Sequence, residues 1–260
     1  MLTTTLAGRS AAVAQRNVTA LKSAYWLAML GGLLEPVLYL FSIGLGVGAL
    51  IGDIPLPGGR MVSYAEFVAP AMLAASAMSG ALAETTFNFF GKMKFWRLYE
   101  GILATPVRPI EIALGELCWA MLRGSVYSAA FLVVMVVMDL TTPARALLAF
   151  PASVLIGFAF GGLGLAISTV IRGWQDFDLI SAGQFALFLF SGTFAPAGAY
   201  PEVLRWLIEV TPLYRAVDLI RGLTLGEAGL MQLLDVAYLL ALTVAGLLIA
   251  GRRMERQLCK

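Results

Sequence analysis

Residues Ala146 to Ile171 read ALLAFPASVLIGFAFGGLGLAISTVI, an uninterrupted run of 26 residues without a charged side chain. A helix needs about 20 predominantly apolar residues to cross the ~30 Å hydrocarbon core of a bilayer. The run therefore predicts a membrane-spanning helix, and five other stretches of the chain are similarly apolar. We place the six predicted spans near Tyr25–Ile51, Phe67–Phe90, Ile112–Met138, Ala146–Ile171, Leu179–Phe194 and Leu233–Ala250.

Composition supports this fold class. Hydrophobic residues make up 60% of the 260 residues and charged residues only 13%, about half of the roughly 25% that is usual in soluble proteins. We therefore predict an all-α integral membrane protein with a single domain over residues 1–260. The chain contains no histidine, which removes the commonest general base and metal ligand. The net charge of +2 does not indicate nucleic-acid binding.

The basic residues predict the orientation of the spans. With both termini on one side of the membrane, that side carries 12 of the 18 Lys and Arg residues, and the opposite side carries five. The positive-inside rule then places both termini and the loop around Lys92–Arg108 in the cytoplasm.

Three segments outside the spans have their own predicted structure. Residues 1–23 are predicted to form an interfacial helix on the cytoplasmic leaflet, the alternative being an unstructured basic tail. Residues 195–226 are too polar to span the membrane and too apolar for an ordinary loop. Pro201, Pro212 and the N-cap residue Thr211 predict two short outer helices near Glu202–Val210 and Leu213–Leu223.

The third such segment follows the second span. Residues Phe89 to Glu116 read FFGKMKFWRLYEGILATPVRPIEIALGE, a basic amphipathic stretch. On a helix, one apolar stripe combines the side chains of Phe95, Leu98, Tyr99, Ile102 and Leu103. Such a helix either lies on the membrane surface or docks into a groove of a partner protein.

Four charged residues lie inside predicted spans: Glu35, Glu84, Glu116 and Arg123. Inserting such a residue at the centre of a spanning helix costs about 2.5–3.5 kcal/mol of free energy, so we expect each one to have a structural or functional role. Glu116 and Arg123 are about 10 Å apart along one helix, because each residue rises ~1.5 Å. We expect Arg123 to meet a carboxylate on another span, with Glu35 and Glu84 as candidates. The pair either holds the helices together or contacts the head group of a substrate.

Two further patterns bear on function. Glycines spaced by four residues, such as Gly157 and Gly161, predict close helix packing. The chain lacks the GxxxxGK[ST] sequence of a P-loop and any nucleophile elbow or cluster of metal ligands, so we predict no enzyme activity and no metal site.

Four stretches resemble the permease subunits of type 2 ABC exporters, in the branch that exports nodulation factors, daunorubicin-type drugs and polysaccharides. They are EPVLYLFSIGLGVG from Glu35, FVAPAMLAASAM from Phe67, KFWRLYEGILATPVRPIEIALGE from Lys94 and FSGTFAPAGAYPEVLRWLIEVTPLYRAVDLIRGL from Phe190. The resemblance implies export of an amphipathic or lipid-linked compound from the cytoplasm across the bacterial plasma membrane. It also implies a second permease subunit, expected to be an identical copy, and two copies of a separate ATPase that binds ATP and Mg²⁺.

The resemblance further assigns roles to residues. It implies a cytoplasmic coupling helix over residues 92–105 that contacts the ATPase through Lys94, Phe95, Arg97, Leu98, Tyr99, Glu100, Ile102 and Leu103. It also implies that the outer helices over residues 195–226 form a re-entrant pair, with Phe194, Tyr200 and Trp206 as candidates for the outer gate. The rival hypothesis is a non-transporting scaffold that uses the same basic segment to recruit a cytoplasmic partner. The sequence does not identify the substrate.

Overall fold

A computed structural model describes residues 10–13, 15–17, 34, 37–56, 59–227 and 229–258. Glu35 and the first part of the first predicted span lie outside the described residues, as does most of the predicted N-terminal helix. The described residues 10–13 and 15–17 are helical. They lie against the third predicted span, since a side chain at Gly115 would collide with Val13 and with the carbonyl oxygen of Ser10.

From residue 53 onward, the described chain contains eight α-helices and one small hairpin, and the sequence pattern did not predict the hairpin. The helices are α1 (Tyr64–Leu82), α2 (Leu98–Leu103), α3 (Pro109–Val137), α4 (Pro143–Ser168), α5 (Asp176–Leu189), α6 (Glu202–Val210), α7 (Pro212–Leu225) and α8 (Leu230–Leu258). The hairpin pairs β1 (Asp53–Pro55) with β2 (Met61–Ser63) in an antiparallel register. π-helical and α-helical turns over Ser42–Val47 and Gly48–Ile51 precede the hairpin.

Among the described residues, four helices are long and apolar enough to cross a membrane: Tyr64–Phe95, Pro109–Val137, Pro143–Ser168 and Leu230–Arg256. The first of these is α1 extended through π-helical turns over Ala83–Asn88 and Gly91–Phe95. Four of the six predicted spans coincide with these helices. The chain is thus a multi-pass, predominantly α-helical membrane protein.

The fifth predicted span differs from the structure. Helix α5 begins at Asp176 and ends at Leu189, so it has 14 residues, about 21 Å at ~1.5 Å per residue. The turn that follows contains Gly192 with φ +70°, a conformation that favours glycine and ends regular structure. Helix length therefore supports four spans in the described chain, and the count of six stays a prediction.

Local sequence explains where the helices begin. Ser63 and Glu66 form a reciprocal capping box at the start of α1. The hydroxyl oxygens of Thr142 and Thr211 accept hydrogen bonds from backbone amides in the first turns of α4 and α7, and each is followed by a proline, which suits the first helical position. The structure thus has helices where the Pro201, Thr211 and Pro212 pattern predicts two short ones.

Helix α4 is the centre of the core, in contact with α1, α3, α7 and α8. Gly157 and Gly161, which the spacing pattern singled out, face Met121 and Leu117 of α3. Helices α4 and α8 approach each other backbone to backbone. A side chain at Gly246 of α8 would run into the backbone of Gly162. Small residues therefore let α3, α4 and α8 pack with their backbones close together.

Candidate functional site

A cavity of about 850 Å³ lies between α1, α3 and α5. Its walls combine aromatic and methionine side chains with a band of hydroxyl, amide and charged groups. The lining residues are Tyr39, Met72, Ala75, Ser76, Met78, Ser79, Gly80, Ala83, Glu84, Thr86, Phe87, Arg123, Gly124, Tyr127, Phe177, Ile180, Ser181, Gln184, Phe185 and Phe188. Such a mixture of apolar wall and a few convergent polar groups is typical of a small-molecule site.

The two charged residues of the cavity wall form an ion pair. The guanidinium of Arg123 on α3 contacts the carboxylate of Glu84, which lies on the π-helical turns after α1. Arg123 Nε also donates to the hydroxyl of Tyr127 at 3.1 Å, and the other oxygen of Glu84 accepts from Asn88 Nδ2 at 2.9 Å. Of the two partners that the sequence suggested for Arg123, the described structure places Glu84 against it.

Neutral polar groups continue this band along the cavity. Gln184 on α5 donates to the hydroxyl of Ser79 on α1 at 2.6 Å, and Ser76 and Ser181 line the same space. Helix α5 thus reaches the core through a polar contact, although none of its own residues is buried.

Glu116, which the sequence analysis grouped with the intramembrane charges, has a different environment. One of its oxygens accepts hydrogen bonds from Lys92 Nζ at 2.6 Å and from Asn17 Nδ2 at 3.1 Å. Tyr99 of α2 is fully buried, and burial together with the negative charge of Glu116 raises the pKa of its hydroxyl well above the usual value. Glu116, which lies on α3, therefore links α3 both to the N-terminal helix and to the segment that follows α1.

The segment predicted to be one helix over residues 92–105 is interrupted. Gly91–Phe95 is π-helical, Arg97 has φ +44°, and only Leu98–Leu103 forms an α-helix. Residues of the apolar stripe pack inward: Tyr99 is buried, and Leu98, Ile102 and Leu103 contact the core. The outward-facing residues are Lys94, Phe95, Trp96, Arg97 and Glu100. Phe95 is therefore the one exposed residue of the predicted stripe.

Five aromatic side chains connect this segment to the cavity: Phe87, Phe90, Phe95, Trp174 and Phe177. Their ring centroids lie 5.0 to 5.9 Å apart. Phe95 stacks on Trp174 just before α5, at 5.0 Å and an interplanar angle of 29°. Phe87 and Phe177 belong to both the cluster and the cavity wall. The sequence analysis did not predict this aromatic cluster, because its members are about 80 residues apart in the chain.

The three candidates for an outer gate are not brought together. Phe194 packs on the cavity residue Phe188 with centroids 5.3 Å apart. Trp206 on α6 is 67% exposed, and neither it nor Tyr200 lines the cavity. The outer-gate role of these three residues stays a prediction.

Arg221 on α7 is a half-buried residue that the sequence analysis did not single out. Its guanidinium lies 3.9 Å from the ring centroid of Phe67, and its Nη2 donates to the carbonyl oxygens of Gly192 at 2.9 Å and Phe67 at 3.3 Å. Arg221 thereby ties α7 to α1 and to the turn after α5. A charged residue among the apolar positions of LYRAVDLIRGL is the sequence signal that points to it.

In the described residues, no group of three or more His, Cys, Asp or Glu side chains is arranged to hold a metal ion. Cys118 is a free, exposed thiol. The features that bear on function are the Glu84–Arg123 ion pair, the polar contact between Gln184 and Ser79, and the aromatic cluster.

Comparison with known proteins agrees with these features. The model of the ABC-2 type transporter family matches residues 10–225. Nodulation protein J of Rhizobium leguminosarum bv. trifolii is 36% identical over 217 residues, which cover 83% of this chain and 81% of that protein. Nodulation protein J of Rhizobium leguminosarum bv. viciae is 30% identical over 250 residues, covering 96% and 95%.

A third relative, Nodulation protein J of Rhizobium meliloti (strain 1021), is 30% identical over 248 residues, covering 95% of this chain and 93% of that protein. The match to the family model extends from the N-terminal helix to the end of α7, so it includes the cavity and the segment around α2. The chain therefore belongs to the ABC-2 type transporter family, as a membrane-spanning subunit of an ABC transporter.

Proposed function

We propose that this chain is the permease of an ATP-driven exporter that moves an amphipathic or lipid-linked compound from the cytoplasm across the bacterial plasma membrane. The observation that supports the proposal is that the aromatic cluster connects the cavity to an exposed surface around Phe95, which is predicted to face the cytoplasm. In the orientation set by the basic residues, both termini and α2 face the cytoplasm.

The working complex contains two copies of this chain and two copies of a separate ATPase that binds ATP and Mg²⁺. Membrane subunits of this family are generally non-catalytic, so ATP hydrolysis belongs to the partner. The surface that contacts the ATPase is formed by the outward-facing residues Lys94, Phe95, Trp96, Arg97 and Glu100. Tyr99, Ile102 and Leu103 hold this surface in place because they pack against the protein core.

Movement of the ATPase reaches the cavity through stacked rings. When ATP draws the two ATPase subunits together, the segment around Phe95 is displaced, and Trp174 moves with it because the two rings are in direct contact. Trp174 leads into α5, which forms one wall of the cavity. ATP drives the opening only if the ATP-bound complex has a higher affinity for the open arrangement than for the closed one.

A pair of tryptophans tests the docking surface. Trp96 is 72% exposed next to α2, and Trp206 is 67% exposed on α6, on the predicted outer side. We expect Trp96→Asp to weaken co-purification of the ATPase in mild detergent by about tenfold or more, because an aromatic anchor at an interface contributes about 2 kcal/mol or more.

Trp206→Asp is the matched control and leaves ATPase binding unchanged. Phe95 and Leu98 are poorer targets, since one stacks on Trp174 and the other packs on the core. If no P-loop ATPase accompanies the unmodified chain, the exporter proposal is wrong. If both variants bind the ATPase like the unmodified chain, the docking surface lies elsewhere.

A further inference from the structure

We propose that Asp218 on α7 and Asp235 on α8 hold one proton between them, as a buried pair of one carboxylic acid and one carboxylate. The site lies where α7 packs against α8, and neither residue lines the cavity. The site and its test do not depend on the proposed function. The proton makes the contact between α7 and α8 sensitive to pH.

Polar side chains face each other across the contact between α7 and α8. Arg215 and Asp218 are three residues apart on α7, so they lie on one side of that helix, and Gln232 and Asp235 have the same spacing on α8. Arg215 Nη1 donates to Asp235 Oδ1 at 3.3 Å. Gln232 Nε2 donates to Asp218 Oδ2, also at 3.3 Å. We call these four residues the polar seam.

The carboxylate of Asp235 is the most deeply buried group of the polar seam. Its side chain has an exposure of 0%, whereas that of Arg215 has 24%. The second oxygen, Oδ2, is buried and accepts no hydrogen bond from the described residues. An ionised carboxylate can only accept hydrogen bonds, and a buried acceptor without a donor is unfavourable. The seam therefore lacks a hydrogen for this oxygen.

The neighbouring carboxyl group offers a place for that hydrogen. Asp218 lies within hydrogen-bonding reach of Asp235. Two ionised carboxylates cannot bond to each other, because neither carries a hydrogen and their charges repel. When the pair takes up one proton from water, the resulting O–H of one acid donates to an oxygen of the other. One bound proton thus replaces a repulsion with a hydrogen bond.

The charges of the polar seam point to the same stoichiometry. With both acids ionised, one guanidinium faces two carboxylates, and one negative charge is left uncompensated. A charge without a partner is costly when it is removed from water. Uptake of one proton brings the net charge of Arg215, Asp218 and Asp235 to zero.

Other titratable groups around the polar seam leave this balance unchanged. Among the described residues, Arg215 and Asp218 are the charged groups that act on Asp235. Helices α3 and α4 also pack on α8, but their charged residues lie at other contacts: Glu111 at Arg108, Glu116 at Lys92, Arg123 at Glu84 and Arg145 at Gly226. Tyr214, beside Asp218, and Tyr238, which donates to the carbonyl of Val210, are uncharged at neutral pH.

Loss of the proton would act on the position of α7. On its other side, α7 is held by Arg221, which donates to the carbonyl oxygens of Phe67 and Gly192. Those contacts do not involve a titrating acid. When the proton leaves, repulsion between Asp218 and Asp235 weakens the attachment of α7 to α8 while the contacts of Arg221 remain.

The first test detects the proton directly, by infrared difference spectroscopy of the purified full-length chain in detergent. Ordinary aspartates and glutamates are already ionised at about pH 6 and contribute little to a difference between pH 6 and pH 9. We expect the carbonyl stretching band of a protonated carboxyl group at the lower pH and its disappearance at the higher pH. Absence of the band at both pH values overturns the proposal.

Asparagine substitutions assign the band to the pair. Asp235→Asn and Asp218→Asn each remove the band, because the amide takes the place of the protonated acid and the remaining aspartate stays ionised beside Arg215. Asp139→Asn is the matched control, since Asp139 is exposed at the end of α3, and it retains the band. A band that persists in both seam variants belongs to another group and contradicts the proposal.

The second test follows thermal unfolding of the same proteins. The folded pair holds a proton that two separate aspartates release on unfolding, so the stability it provides is present at low pH and lost as the pH rises. Asp235→Asn has no such proton to lose. We expect it to match the unmodified chain at about pH 6 and to unfold about 3 °C higher at about pH 9, a shift typical of one modest interaction in a chain of this size.

The remaining outcomes also decide the question. Asp139→Asn should follow the unmodified chain at every pH. Parallel curves for Asp235→Asn and the unmodified chain overturn the proposal. If the infrared band is absent and added Na⁺ raises the unfolding temperature of the unmodified chain but not of Asp235→Asn, the pair holds a metal cation, and the assignment of a proton is wrong.

Discussion

Helices α4 and α5 are both apolar, but they have opposite roles in the structure. In α4, 14 of 26 residues are buried, while α5 has no buried residue in 14. Their side-chain sizes explain the contrast: α4 carries Gly157, Gly161, Gly162 and Gly164 at its contacts, whereas large residues of α5 such as Leu179 and Phe185 are exposed. Lipid chains are as apolar as leucine, so small residues, and not hydropathy, identify the helix that packs tightly.

The largest expected effect is on stability, and it distinguishes a substitution in the core from one in α5. Gly246→Ala places a methyl group against the Gly162 backbone between α8 and α4, whereas Gly183→Ala on α5 meets open space. We expect Gly246→Ala to lower the free energy of unfolding by about 3 kcal/mol, because overpacking of this kind forces backbone shifts. The stability of both variants is measured by thermal unfolding in detergent. We expect Gly183→Ala to leave the stability unchanged or to raise it slightly. Equal losses would show that α5 is as tightly packed as α4.

The second prediction concerns packing around Glu116, where α3 meets the segment that follows α1. Lys92→Met removes the cation from buried Glu116, with side-chain exposures of 13% and 6% in the pair. We expect a loss of about 2 kcal/mol in unfolding free energy, since a shielded charge is left without its partner. Lys94→Met, two residues away and exposed, serves as the control in the same denaturation assay. A similar effect of both substitutions would mean that Glu116 is solvated.

The third prediction concerns the attachment of α5 at its N-terminal end, next to Trp174. Trp174→Ala removes the ring that Phe87, Phe90, Phe95 and Phe177 contact. We expect about 1 kcal/mol of destabilisation, as for the loss of aromatic pairs at a partly exposed site. Transport coupled to ATP hydrolysis should fall much further than stability, because α5 no longer follows the segment around Phe95. Trp174→Phe, which retains a ring, restores coupling; an inactive Trp174→Phe with normal stability would argue against transmission through stacking.

The smallest effect is expected on the outer face of α5. Leu179 is 78% exposed, so Leu179→Ala should change the unfolding free energy of the isolated subunit by less than about 0.5 kcal/mol. A matched change at a buried leucine, Leu165→Ala on α4, should cost at least about 2 kcal/mol. A large loss at Leu179 in the purified dimer, absent from the monomer, would identify this face as the contact with the second copy.

Part of the fold could be read from the sequence. Runs of apolar residues located the four long helices, and Pro201, Thr211 and Pro212 lie at the starts of α6 and α7, because capping and proline preferences act over a few residues. The length of α5 and the β1–β2 hairpin were not predicted. Both depend on turns, at Gly192 and around Gly59, whose positive φ angles are favoured by contacts that a linear pattern does not contain.

The candidate site was predictable to a smaller extent. The charge of Arg123 inside a span demanded a partner, and the structure supplies Glu84. Glu116 was grouped with it by position alone, yet its partner is Lys92, which lies on the π-helical turns that follow α1. Leu98, Tyr99, Ile102 and Leu103 of the predicted stripe face the protein core, and Tyr99 packs on Phe89 with ring centroids 5.0 Å apart. Phe95 is 57% exposed, because the helix is interrupted between it and Leu98.

The sequence by itself determined that this chain is a multi-pass α-helical membrane protein, because the hydrophobic length of a helix and the cost of burying charge are local properties. It also determined the transporter family through motifs spread along the whole chain. Only the tertiary structure decided which helices pack tightly, that Glu84 and Arg123 neutralise each other beside a cavity, and that Phe95 meets Trp174. Each of these contacts joins residues that are distant in the chain. They depend on side-chain size, helix crossing and turn geometry together, and no local stretch of sequence contains all three.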